Sequence, residues 1–178
     1  MIKNTTSNYG IIAKSFHWLM AALLIGMFII AYIMINMGKS PYRWTLYDIH
    51  KATGLLIFVL FAMRLFWRML NTQPTLSHIP RWQQRAAKTN ILFLYLLMCI
   101  MPITGFLTST LGGHDITFYG LFTITAYAHN EVASDFFGQA HEIISYLLIA
   151  AFSLHVMGAL YHHFLLKDGV LKRMWKAS

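Results

Sequence analysis

His141 and His155 stand inside one apolar stretch, Phe136 to Phe164, that is long enough to cross a bilayer. An ionisable side chain at that depth is costly and marks a functional site by default. In a helix the fourteen-residue step from one to the other corresponds to about 21 Å along the axis, and to a rotation about 40° short of four full turns. The two imidazoles therefore share one helix face at two levels. Imidazole is a ligand for transition metals, and each level requires a partner from another element.

The elements that supply partners follow from the composition. Of the 178 residues 57% are hydrophobic and only 11% charged, with mean hydropathy +0.54. That is far below the roughly 25% charge of a soluble domain, and the chain belongs in lipid. Four apolar runs are visible: Phe16 to Met37, Leu55 to Leu70 (extended backwards from Thr45), Ile91 to Leu111, and Phe136 to Leu166. The expectation is an all-α membrane protein, a four-transmembrane-helix bundle forming a single domain over residues 1–178. The first run has no cleavage site and reads as a retained span. Lys3, Lys14, Arg64, Arg68, Arg81, Arg85, Lys88, Lys167, Lys172, Arg173 and Lys176 fall on one side of the membrane and only Lys39, Arg43 and Lys51 on the other. By the positive-inside rule both termini are cytoplasmic. The basic pI of about 9.8 thus reports topology rather than nucleic-acid binding. Trp18, Trp44, Trp67 and Trp82 read as interfacial anchors near span ends, and Trp175 lies in the basic tail.

Pro74 and Pro80 keep the inner loop, Asn71 to Trp82, from being helical throughout. Pro102 and Gly105 interrupt the third span, where a kink is expected and Thr104 or Thr108 can satisfy freed carbonyls; this span otherwise reads as packing. The outer connection, Gly112 to Asp135, is long and carries the apolar segment ITFYGLFTITAY, which reads as a lid in the outer interface.

Depth selects among the nine histidines. His17 lies near the inner start of the first span and His50 near the outer start of the second. On the fourth, running inward, His141 comes early and His155 late. This proposes His50 with His141 at an outer level and His17 with His155 at an inner one. Facing imidazoles on different helices can supply both axial ligands of a haem iron. Cys99 is the single cysteine and no CxxCH occurs, so such a haem is bound non-covalently. Arg64, fourteen residues after His50, reaches the inner level and suits a haem propionate, whereas Arg68 reads as a snorkelling anchor. Gly54 and Gly158 are small where a macrocycle needs close approach. His78, His114 and His129 read as solvated loop residues, and His162 and His163 as interfacial.

The segments SFHWL, IHKATG with RLFWR, LYLL with PITG, AHE, LHVMGALYHHF and KDGVLKRM occur in this order over nearly the whole chain. In that combination the chain resembles the bacterial cytochrome b561 family, four-helix dihaem proteins of the inner membrane. The resemblance implies two haem b, with iron ligated by His17 and His155 inside and by His50 and His141 outside. It also implies superoxide as periplasmic electron donor and ubiquinone as acceptor. Thr89-Asn90-Ile91 stands where many members carry a histidine, so a role for that side chain is not carried over. Lys39, Arg43 and Lys51 can steer an anionic donor if the lid exposes them together. Two other functions compete: an electron-transfer subunit partnering a respiratory dehydrogenase or hydrogenase, and a histidine-rich transporter or metal-binding protein. Ligands about 21 Å apart argue against the last.

Overall fold

The computed structural model describes residues 1–75, 79–127 and 129–175; His78 and Lys176 lie outside them. Helix α1 spans Ile11–Asn36, α2 Pro41–Met69, α3 Arg81–Leu111 and α4 Glu131–Tyr161. Each is long and apolar enough to cross a membrane, as expected of a four-span bundle. Every one begins before its apolar run, and at α2 and α4 a side-chain cap rather than hydropathy marks the start. Ser40 accepts a hydrogen bond from the Arg43 amide and Pro41 occupies the first turn of α2. Asn130 caps α4 through the Ala133 amide, with Glu131 favourable at the positive helix end. The outer connection is accordingly shorter than Gly112 to Asp135. Helix α3 starts directly after Pro80, inside the expected inner loop.

The lid has structure of its own: β1 (Ile116–Phe118) pairs antiparallel with β2 (Phe122–Ile124), with Phe118 opposite Phe122 and their rings stacked. At the other end of the bundle the terminal segments meet the α2–α3 connection. Asn4 donates to the Thr72 carbonyl, Trp18 Nε1 to the Met174 carbonyl and Arg173 to the Thr75 carbonyl. Trp18 is therefore tied to the chain terminus, stacking edge-on with Trp175 in the short helix α5 (Lys172–Trp175).

Close backbone packing joins α1 to α2, α2 to α3 and, most extensively, α3 to α4. Helix α4 has no approach of that extent to α1 or α2, so the face it turns toward them is separated by side chains. One layer from every helix fills the middle: Leu24, Ile57, Leu97, Leu148 and Ala151. Leu24 is seven residues after His17, Ile57 seven after His50, and Leu148 midway between His141 and His155. The spacing that separates two histidine levels thus also places an apolar floor between them. Leu148 is 2% exposed, so Leu148→Ala should leave a cavity and cost about 2–5 kcal/mol. A fall in the thermal unfolding temperature of the detergent-solubilised protein measures it.

Candidate functional site

At the level nearer the termini, His17 on α1 faces His155 on α4 with ring centroids 6.0 Å apart. At the other level His50 on α2 faces His141 on α4 at 6.2 Å. A metal–imidazole bond of about 2.0–2.1 Å plus about 1.1 Å from nitrogen to ring centre, taken twice, gives about 6.3 Å across one metal atom. Both separations match. All four rings are half-buried, and all four come together in the two pairs that depth proposed. Among the described residues no three or more His, Cys, Asp or Glu converge on a point, so each level offers a metal two imidazoles and no third ligand of these types.

The outer pair is the more fully built. His141 Nδ1 lies 3.0 Å from the Met101 carbonyl and 3.1 Å from Thr104 Oγ1. A carbonyl only accepts, so Nδ1 carries the proton and Nε2 keeps its lone pair for a metal. Thr104, buried, donates to the Met101 and Ile100 carbonyls at 2.8 and 3.2 Å and can accept from the ring. A Cβ on Gly105 would stand 2.8 Å from His141 Cε1 and 3.1 Å from Nδ1, closer than side-chain atoms pack. Only glycine leaves room for this imidazole. His50 Nδ1 is buried and unpartnered among the described residues, leaving that ring a valence for a non-protein ligand.

These contacts correct the packing-only reading of α3: its Met101, Thr104 and Gly105 hold an imidazole. The helix runs continuously through Pro102, and neither threonine bonds to Met98, the carbonyl that proline deprives of its helical donor. Thr104 and Gly105 lie in the PITG segment, so the signal was present but pointed to a kink. Gly54 meets only the Met27 side-chain end at 3.9 Å and Gly158 nothing within 4 Å, so protein crowding explains neither.

The hairpin closes over this level. Ile116 is 2% exposed, Tyr119 hydroxyl lies 2.8 Å from Thr53 Oγ1, and Lys51 Nζ donates to the Asp115 carbonyl at 2.8 Å. Thr53 is one turn after His50, which ties the lid to the helix that carries that imidazole. Lys51 also pairs with Asp48 at 3.0 Å. It fastens the lid instead of joining Lys39 and Arg43 in an exposed basic cluster, because a carbonyl and a carboxylate within reach outcompete water. Tyr119→Phe should loosen the lid by about 1 kcal/mol, read as faster amide exchange in β1 and β2.

At the inner level Arg64 Nη2 donates to His17 Nδ1 at 3.2 Å, and its Nε to the Tyr95 hydroxyl at 3.4 Å. Arg68 is half-buried. Its guanidinium lies over the Tyr95 ring at 5.4 Å and donates to Gln73 Oε1 at 3.0 Å. Trp67 Nε1 is buried without a hydrogen-bond partner among the described residues, contrary to an anchor whose N–H reaches the interface. Tyr95 belongs to the LYLL segment and was legible there only as part of a pattern. His114 and His129 are exposed, and His129 lies 3.5 Å from Glu131. His162 and His163 fall in a π-helical turn, His162–Leu166, and His162 bonds the Asp168 carboxylate instead of joining either pair.

The prokaryotic cytochrome b561 family profile matches residues 8–177. Escherichia coli (strain K12) cytochrome b561 homolog 2 is 33% identical over 180 residues, covering 96% of this chain and 93% of the relative. Homolog 1 from the same organism is 29% identical over 77% of this chain and 78% of the relative. A probable superoxide oxidase CybB of Yersinia pestis is 27% identical, with 93% and 94% covered. Two facing imidazole pairs in a four-span bundle and a match along nearly the whole sequence converge: the chain belongs to the prokaryotic cytochrome b561 family, b-haem electron-transfer proteins of the bacterial inner membrane.

Proposed function

We propose that the protein is a single-domain dihaem cytochrome that moves electrons from periplasmic superoxide to membrane ubiquinone. The observation that carries the dihaem reading is the pair of imidazole contacts, 6.0 and 6.2 Å, at two levels of one bundle. His17 with His155 would ligate an inner haem iron, and His50 with His141 an outer one; each haem, when bound, supplies one-electron ferric/ferrous chemistry. The chain's own residues orient and enclose it. The Met101 carbonyl fixes the His141 tautomer, Gly105 clears space for the ring, and the lid over α2 limits water at the outer level. The Leu24, Ile57 and Leu148 layer keeps the interior between the two levels apolar.

The distribution of Lys and Arg supports cytoplasmic termini, which puts the His50 level on the periplasmic side. Superoxide as donor is supported by the name of the Yersinia relative. The balanced reaction is two superoxide plus ubiquinone plus two protons giving two molecular oxygen plus ubiquinol. The purified protein should show a reducible b-type spectrum, two haems per chain, and superoxide-dependent quinol formation with a soluble ubiquinone. Two haems without turnover favours the alternative, an electron-transfer subunit of a respiratory dehydrogenase or hydrogenase. A haem-free protein refutes both.

A further inference from the structure

The end of the bundle that carries the termini has an excess of partly buried positive charge. Asp48, Asp115, Glu131, Asp135 and Glu142 all lie toward the hairpin end, and the remaining acid, Asp168, is bonded to His162. Arg64 and Arg68 are half-buried and take part in no ion pair among the described residues. Their partners are a neutral imidazole, a phenol, an amide oxygen and an aromatic face. Two guanidiniums partly withdrawn from water beside one another, with no carboxylate among the described residues, favour an anion that supplies the charge.

Both line one pocket, together with Tyr9, Trp67, Gln73 and Tyr95. Trp67 Nε1–H is a buried donor without an acceptor among the described residues. Tyr9 precedes α1, and its burial raises the pKa of its hydroxyl, which therefore stays protonated and able to donate. Every uncommitted group in the pocket is a donor or a cation, and Arg64 connects it directly to His17. Iron on His17 Nε2 would leave a proton on Nδ1, so Arg64 would lose its present acceptor and become available to an anion.

We infer that this pocket receives the two propionate carboxylates of the inner haem, with Arg68, Trp67 and Tyr9 completing a receptacle in which Arg64 is only one arm. The inference rests on the dihaem reading and extends it to three positioning residues. The same chemistry would accept the phosphate of an inner-leaflet lipid, and the experiment separates the two anions.

The full-length holoprotein, Arg68→Gln, Arg68→Lys and Trp67→Phe are compared in two measurements. The first is haem transfer to excess apomyoglobin, in vesicles of neutral phosphatidylcholine and of anionic phosphatidylglycerol. The second is the resonance Raman propionate-bending band of the inner haem, identified as the haem missing in His155→Ala. Loss of one charge-assisted bond should speed inner-haem release roughly tenfold to hundredfold in Arg68→Gln. That variant and Trp67→Phe should shift the band in both lipids, with Arg68→Lys recovering part of the retention. Wild-type release rates and unshifted bands in Arg68→Gln and Trp67→Phe overturn the inference. Effects confined to phosphatidylglycerol overturn it in favour of a lipid headgroup. If Arg68→Gln does not fold, Trp67→Phe, which stays aromatic and apolar but lacks the N–H donor, decides alone. A wild-type protein with two haems and unresponsive variants sinks only this inference; a haem-free wild type sinks the functional proposal itself.

Discussion

Gly105→Val is expected to reduce haem content from two per chain to one, with the outer haem lost and the inner spectrum preserved. A Cβ at this position would lie 2.8 Å from His141 Cε1, and valine adds two methyl groups on the same side. The ring cannot retreat freely, since its Nδ1 is held by the Met101 carbonyl and Thr104 at 3.0 and 3.1 Å on the same helix as Gly105. The clash and the hydrogen bonds act on one rigid group, so relief of one breaks the other. Disturbing the partners of a metal-ligating histidine typically costs 10–100-fold in affinity, and direct displacement costs more. Gly105→Ala should give partial occupancy. Pyridine haemochrome content together with the reduced alpha band checks both; full occupancy in Gly105→Val would show that His141 is not an iron ligand.

His155→Ala should abolish superoxide-driven quinone reduction while leaving one haem in place. His141→Ala should do the same with the other haem retained. His141 and His155 lie about 21 Å apart on α4, and no further imidazole pair stands between them among the described residues. The intervening layer is Leu24, Ile57 and Leu148, side chains that cannot ligate iron. Loss of either level therefore leaves one step too long, and turnover should fall at least about 100-fold rather than by half. Added imidazole fits the space vacated by either ring and should restore part of the missing spectrum. Retention of both haems in either variant would refute the pairing.

Much of this site was legible in sequence because membrane depth is nearly one-dimensional. A hydrophobic span fixes how far along the bundle normal a residue sits, and fourteen-residue spacing fixes its face. Those two coordinates suffice to match His17 with His155 and His50 with His141. The resemblance carried by SFHWL, IHKATG, PITG and LHVMGALYHHF agreed with that match, and the family comparison agrees with the resemblance. Helix starts were less legible, since Ser40 and Asn130 caps act through local hydrogen bonds that hydropathy does not register.

What stayed hidden depends on the third coordinate, the lateral approach of one helix to another. That α3 rather than α1 or α2 backs α4 decides that Gly105, Thr104 and Met101 meet His141. It also decides that Gly54 and Gly158 meet little protein. Arg68, one turn beyond Arg64, turns inward because Tyr95 of α3 offers an aromatic face there. Lys51 fastens a hairpin because the chain between α3 and α4 folds back over α2. The sequence alone therefore determined the span count, the levels and the two imidazole pairs, all consequences of hydrophobic depth and helical period. The tertiary structure alone decided which neighbours orient and crowd those imidazoles, because contacts between helices follow from packing that no single span encodes.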